Sequence, residues 1–160
     1  MTHIERHEKI ELYGQGFDLL RAALAEIPKE AWQFKPEPTE WSVHEIIIHL
    51  ADSETNAALR ARKLAVEPGG AIMGYDENTW ANELAYHDQS TEDALQLIKY
   101  ARLTTYNWLK TLPDEVFTHK VKHPEYDEAY TFEMWVEIYS DHIPGHIEQI
   151  KNNLKLWRNL

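Results

Sequence analysis

The sequence contains no cysteine among its 160 residues. This absence excludes disulfide bonds, cysteine nucleophiles, cysteine-ligated zinc and iron–sulfur clusters. The sequence also has no apolar run of the roughly 20 residues that a membrane-spanning helix requires. Its first seven residues alternate charged and apolar side chains, which is not the pattern of a signal peptide. We therefore expect a cytoplasmic protein.

Positive charge is also scarce in this sequence. Lysine and arginine number 16 against 27 aspartate and glutamate residues, which gives a formal net charge of −11. Such a surface repels nucleic-acid phosphates and anionic lipids unless a local basic patch is present, and the basic residues here are scattered. The composition therefore predicts neither a nucleic-acid partner nor a membrane partner.

Helical periodicity dominates the chain, whose length suits a single domain over residues 1–160. Apolar residues recur at the helical period in four long segments, at about residues 2–26, 42–67, 90–112 and 131–157. Asp76 is placed to cap a short helix between the second and third segments. Alternation around His123 indicates a small β-hairpin before the last helix. These elements predict an all-α protein built as a four-helix up-down bundle.

Histidine pairs with four-residue spacing are the first candidates for chemistry. Two such residues on a helix lie about 5–6 Å apart, so both imidazoles can bind one metal ion. Three pairs have this spacing: His3/His7, His119/His123 and His142/His146. The first lies at a fraying terminus, and the second lies in the predicted hairpin, where this spacing does not stack side chains. Only the third lies in the middle of a helix, beside its apolar face.

His49 is the natural third ligand, because it interrupts the otherwise apolar run of residues 46–50. A single buried histidine is more often a structural residue held by hydrogen bonds. Burying His49 together with the pair His142 and His146 would be costly without a ligand to bind. Three neutral ligands leave at least one open coordination position on a metal, as catalytic sites do.

Nearby residues modify this prediction. Pro144 lies between the paired histidines and removes one backbone hydrogen bond, so we expect a kink that preserves the pair. Asp52, one turn beyond His49, and Asp141, directly before the pair, are candidates for orienting a ligand ring or moving a proton. Acidic residues are abundant in this chain, however, and a solvated surface position is the alternative for each.

Four segments together resemble the DinB/YfiT-like superfamily. WSVHEIIIHLADSE at residues 41–54 resembles its second-helix signature, and DHIPGHIEQI at residues 141–150 resembles its final-helix signature. GYDENTWA at residues 74–81 and HPE at residues 123–125 resemble the YfiT branch. The pair Pro144 and Gly145 departs from the YfiT pattern, which leaves the catalytic geometry less defined than metal binding.

The resemblance implies a four-helix bundle with a metal site at His49, His142 and His146. It also implies zinc or nickel as the metal and a homodimer as the assembly. By analogy with the family, a segment near the mouth of the site would carry Tyr75, Asp76 and Trp80.

Members of this superfamily are described as metal-dependent hydrolases or as transferases and isomerases that use a small thiol. We interpret this protein as a metal-dependent thiol S-transferase, in which a metal-bound thiol such as bacillithiol or glutathione attacks an electrophilic small molecule. The alternatives are a hydrolase that uses metal-bound hydroxide and a non-enzymatic metal-binding stress protein.

Overall fold

The computed structural model of the protein describes residues 1–160 and contains five α-helices. They are α1 (His3–Ala25), α2 (Val43–Val66), α3 (Glu77–Glu83), α4 (Thr91–Leu109) and α5 (Phe132–Trp157). Strands β1 (Lys120–Val121) and β2 (Tyr130–Thr131) form an antiparallel hairpin before α5. The predicted four-helix bundle, its short extra helix and its hairpin are confirmed. No helix combines the length and the apolar character that crossing a bilayer requires.

Side-chain caps determine where the long helices begin. At α2, the Ser42 hydroxyl accepts a hydrogen bond from the Glu45 amide at 3.2 Å, and the Glu45 carboxylate accepts one from the Ser42 amide at 2.8 Å. This is the predicted capping box. At α5, the Thr131 hydroxyl accepts a hydrogen bond from the Met134 amide at 3.1 Å. Because helical residues follow a fixed period, the start of each helix determines which side chains face the core.

The helices α1 and α5 lie side by side and run in the same direction. Near both N-termini the Met1 amino group donates to Glu133, and further along both helices Lys9 donates to Asp141. On their other sides, α1 packs against α4 and α5 packs against α2. The helices α1 and α2 therefore lie on a diagonal of the bundle. The neighbouring helices α2 and α5 are therefore the pair that can carry facing histidines.

The helices α2 and α4 are also parallel, so the four long helices run up, down, down and up. Glu54 pairs with Arg102, and further along both helices Arg62 donates to Thr105. The simplest up-down bundle differs from this order because it reverses direction at every connection. Here residues 67–90 cross the bundle before α4 begins. Extended chain covers about 3.3 Å per residue against about 1.5 Å for a helix, so this connection is long enough to span α2.

A buried ion pair joins the four long helices at the middle of the bundle. Arg102 on α4 donates to the Glu54 carboxylate on α2 at 2.7 Å. It also donates to the main-chain carbonyls of Tyr13 on α1 and Tyr139 on α5, at 2.8 and 2.7 Å. Gly16 leaves the space for it, because a Cβ at that position would lie 1.9 Å from Nη1 of Arg102. This network holds α5 in register with α2.

Candidate metal centre

Three imidazole rings converge between α2 and α5. Nε2 of His142 lies 3.4 Å from Nε2 of His49 and 3.2 Å from Nε2 of His146. One nitrogen from each ring lies within 4.8 Å of the other two. Tetrahedral zinc with bonds of about 2.0–2.1 Å holds its nitrogen ligands about 3.3–3.4 Å apart. The structure thus brings the three predicted ligands together with the spacing that suits one ion.

The proline between the paired histidines does not separate them. α5 is continuous from Phe132 to Trp157 and includes Pro144. Ile143 and Ile147 on the same turns are buried in the core and keep this part of the helix against α2. The expectation that the histidine pair survives the proline is therefore met.

Burial keeps the three rings neutral. His49 is fully buried, and this burial, with a smaller contribution from the His146 ring, lowers the pKa of His49 to about 3. Burial is also the main cause that lowers the pKa of His142 and the pKa of His146. Neutral imidazole is the form that binds metal ions. The donor set is therefore in its binding form at neutral pH.

Hydrogen bonding does not explain why these rings are buried. Nδ1 of His49 and Nδ1 of His142 are both buried without a hydrogen-bond partner. Polar atoms in a protein core are normally satisfied, so histidines that served only the core would be expected to have such partners. The missing Nδ1 partners argue against purely structural histidines, and the Nε2 atoms that face one another mark the side on which a ligand would bind.

Gln149 and Trp41 position two of the rings. Oε1 of Gln149 lies 2.9 Å from Nδ1 of His146, so Nδ1 carries the proton and the Nε2 lone pair faces the other histidines. The Trp41 ring packs on His49 with centroids 4.6 Å apart and stacks on His146 at an interplanar angle of 18°. Both roles were missed from the sequence, since Gln149 is only one of many polar residues and Trp41 only an apolar residue before a helix cap.

The two acidic candidates form their hydrogen bonds away from the histidine rings. Oδ2 of Asp52 accepts a hydrogen bond from the Tyr86 hydroxyl at 2.5 Å. Asp141 is exposed and pairs with Lys9 of α1 at 2.6 Å. In this structure Asp52 is hydrogen-bonded to Tyr86 and Asp141 to Lys9, and neither carboxylate is hydrogen-bonded to a ligand ring.

The three residues predicted near the site mouth have different roles. Tyr75 lines a cleft that also reaches His142, and its ring packs on Trp80 with centroids 4.3 Å apart. Trp80 is partly buried against the apolar core. The Asp76 carboxylate accepts a hydrogen bond from the Thr79 amide at 2.6 Å, so it caps α3 as predicted. Of the three, Tyr75 is the residue that lines a cleft in which a substrate could bind.

The cleft beside His142, which we call the tyrosine cleft, has a volume of about 160 Å³. Its walls include four tyrosines and a second histidine, namely Tyr75, Tyr126, Tyr130, Tyr139 and His123. A second, more open cavity of about 320 Å³ lies beside Trp41, Asn78 and His146. The histidine cluster can therefore be approached from two directions.

Arg60 connects the tyrosine cleft to the helix that carries the paired histidines. Its Nη1 donates to the Tyr139 hydroxyl at 3.0 Å, and its Nη2 donates to the Met73 carbonyl at 2.7 Å. Burial raises the pKa of Tyr139, while the Arg60 charge opposes that rise. The Tyr139 ring lies 6.0 Å from the His142 ring, centroid to centroid. A phenol polarised by a cation thus lies beside the candidate metal ligands.

Sequence reasoning missed Arg60, although a signal was available. A single arginine on a helix usually indicates a solvated surface charge. Arg60 lies about three helical turns after His49, however, and so falls on the same face of α2. That spacing could have identified it as a neighbour of the site.

Acid is expected to destabilise the metal-free protein through the same histidines. Unfolded histidine has a pKa of about 6.5, whereas burial lowers the pKa of His49 to about 3 in the folded protein. Below about pH 6.5 the unfolded chain binds a proton that the folded protein excludes, so stability is lost as the pH falls through this window. His49 alone contributes a loss on the order of 1 kcal/mol per pH unit.

Urea unfolding of chelator-treated protein between about pH 7.5 and 5.5 measures this slope. His49→Leu should reduce the slope, whereas His7→Leu, on the exposed part of α1, should not change it. An unchanged slope in His49→Leu would contradict the assignment.

Known proteins match this chain over most of its length. A model of the DinB superfamily matches residues 12–150. A Bacillus subtilis protein named "Putative metal-dependent hydrolase YfiT" is 31% identical over 113 residues, which cover 69% of this chain and 62% of that protein. A relative from Oceanobacillus iheyensis, which carries the same hydrolase designation, is 28% identical over 137 residues, covering 86% of this chain and 78% of that protein.

A solved structure matches the fold. YfiT from Bacillus subtilis, described as having an unusual four-helix bundle topology, superposes with a TM-score of 0.88 at 24% identity. The superposition covers 96% of this chain and 87% of that one. At this level of identity the likeness establishes the shared fold.

Proposed function

Because the chain belongs to the DinB superfamily, we propose that it is a metal-dependent enzyme whose single divalent ion is held by His49, His142 and His146. The observation that carries this proposal is the convergence of the three rings, with Nε2 separations from His142 of 3.2 and 3.4 Å. Three protein ligands leave a coordination position for water or substrate. Zinc or nickel suits neutral imidazole donors and, when bound, would lower the pKa of a bound water or thiol toward neutral.

The surrounding side chains would bind substrate and control access to the ion. Trp41 packs on His49 and His146 and forms part of the wall of the open cavity beside His146. The Tyr139 hydroxyl accepts its hydrogen bond from Arg60 and keeps its own proton to donate. A donor in this position would stabilise an oxygen that gains negative charge during a reaction in the tyrosine cleft.

Metal-dependent hydrolysis is the reaction that we infer first. Its support comes from the two relatives named as metal-dependent hydrolases, at 31% and 28% identity. In this reaction the histidines hold the ion, and Tyr139 donates its hydrogen bond to the oxygen that becomes negatively charged.

Transfer of a low-molecular-weight thiol to an electrophilic small molecule is the second candidate. The two cavities that reach His142 and His146 favour it, because a transfer brings two reactants to one ion. The chain has no cysteine of its own, so a small thiol would be the sulfur nucleophile.

A substrate screen separates the two reactions. Protein loaded with zinc or nickel is incubated with activated esters and aryl halides, in the presence of bacillithiol, glutathione or no thiol. Hydrolysis predicts turnover that requires the metal and is unaffected by thiol, whereas transfer predicts a thioether product that requires both. The control is the same protein after chelation. Turnover that survives chelation would contradict a metal-dependent enzyme of either kind.

A further inference from the structure

The tyrosine cleft contains opposite charges that do not pair with one another. Arg60, Glu77 and Glu125 line this cavity, yet none of the three forms an ion pair within 4.0 Å. All three line the same cavity. Burial and the Glu125 charge raise the pKa of Glu77, and the Arg60 charge lowers it. Opposite charges at the C-terminal end of α2 do pair, as Lys63 and the capping residue Glu67 do at 2.9 Å. The three charged groups in the cleft are therefore neighbours that do not form an ion pair with one another.

The Arg60 guanidinium is held in place with donors to spare. Two of its nitrogens donate to Tyr139 and to the Met73 carbonyl, which fixes the plane of the group. Its Nε is buried and has no partner. A guanidinium has five N–H donors in a planar fork that matches a carboxylate. Each terminal nitrogen of Arg60 keeps one further N–H, and a ligand carboxylate in the cleft would supply the acceptor for these groups.

The two carboxylates come from separate segments that pack closely together. Glu77 lies in the first turn of α3, and Glu125 lies in the hairpin loop. Gly74 allows this packing, because a Cβ there would lie 2.7 Å from Cγ of Pro124 and 2.9 Å from Oε1 of Glu125. Glu77 and Glu125 are exposed as whole residues, whereas Nε of Arg60 is buried, so the two glutamates lie toward the outer part of the cleft.

We propose that the tyrosine cleft binds a small zwitterion, either an α-amino acid or an amino-acid-like end of a larger substrate. Its carboxylate would bind Arg60, and its ammonium group would lie between Glu77 and Glu125. A plain anion would be repelled by the two carboxylates and a plain cation by the guanidinium, so only a ligand with both charges is complementary to the cleft. The volume of about 160 Å³ also suits a group smaller than the usual drug-sized ligand.

The cleft reaches His142, so a catalytic role for the bound zwitterion rests on the proposed function. Binding of the zwitterion itself does not require the metal. Three related probes test it: L-alanine, propionate, which lacks the amino group, and ethylamine, which lacks the carboxylate. Metal-free protein is titrated with each probe, and the NMR signal of the Arg60 Nε–H group is followed. L-alanine should shift this signal and bind about tenfold more tightly than either single-charge probe.

Variants assign the two halves of the site. Arg60→Met should weaken L-alanine binding by about tenfold or more. Because this variant lacks the Arg60 Nε–H signal, binding is measured by calorimetry or by the NMR signals of the other residues that line the cleft. Glu77→Gln combined with Glu125→Gln should abolish the preference for L-alanine over propionate. Arg62→Met is the matched control, because Arg62 donates to the Ala58 carbonyl on the same helix and does not line the cleft.

The proposal is overturned if propionate binds the wild-type protein as tightly as L-alanine does, a result that needs no variant to fold. It is also overturned if Arg60→Met binds L-alanine normally. Metal analysis of the same preparation separates this result from the proposed function. L-alanine binding without stoichiometric metal uptake would reject the metal-dependent enzyme and keep the zwitterion site. Stoichiometric metal uptake without L-alanine binding would reject the zwitterion site and keep the metal-dependent enzyme.

Discussion

Replacing His49 or His142 with alanine is expected to reduce the bound metal from about one ion per chain to a small fraction of that value. Each substitution removes one of three nitrogen donors, and metal affinity falls by about 10–100-fold even when only a hydrogen-bond partner of a ligand is lost. Elemental analysis after dialysis measures the metal content. Metal-dependent turnover should disappear with the ion, because water or thiol is no longer activated.

His7→Ala is the matched control for these variants, because His7 is exposed on α1 and distant from the cluster. His146→Ala adds a second test, since this ring is only partly buried and its loss disturbs the core less than loss of His49. Circular dichroism confirms that each variant is folded before its metal is measured. Full metal content in both His49→Ala and His142→Ala would reject the ligand set.

Glu54→Ala is expected to lower the free energy of unfolding by about 3–5 kcal/mol. The substitution leaves the Arg102 guanidinium buried without its charge partner, since both side chains are almost completely inaccessible to solvent. It also removes the acceptor for the Tyr13 hydroxyl, which donates to Glu54 at 3.1 Å. Urea denaturation monitored by circular dichroism measures the change.

Two comparisons identify the cause of this loss. Lys63→Ala breaks the partly exposed Lys63–Glu67 pair and should cost less than about 1 kcal/mol. Replacing Glu54 and Arg102 together by methionine should be less destabilising than Glu54→Ala, because no uncompensated charge remains. If Glu54→Ala cost less than about 1 kcal/mol, the ion pair would not hold the bundle as described.

Local signals account for the elements of the fold but not for their order in space. Ser42 with Glu45 and Thr131 with Met134 act within a single turn, so the starts of α2 and α5 could be predicted from neighbouring residues. The direction of α4 depends on where residues 67–90 cross the bundle. That path is set by long-range packing, which no spacing within the segment encodes.

The candidate site shows the same division. His142 and His146 share a helical face, and His49 interrupts an apolar run, so each of the three could be found from local pattern. Asp141 adjoins His142 in sequence, but adjacent residues point about 100° apart around a helix, so its carboxylate reaches Lys9 instead. Arg60 could be placed on the right face of α2, whereas its contact with Tyr139 depends on how α2 packs against α5.

The crossing segment of residues 67–90 has a consequence for how such a protein can diversify. It contributes Tyr75 and Glu77 to one cavity and Asn78 to the other, while both histidine-bearing helices lie outside it. Substitutions or insertions in this segment can alter which molecules are admitted and leave the imidazole cluster and the buried ion pair intact. Natural variation in substrate preference can therefore accumulate at the exposed positions of this segment, whereas its buried residues Ile72, Ala81 and Tyr86 belong to the core and are constrained by packing.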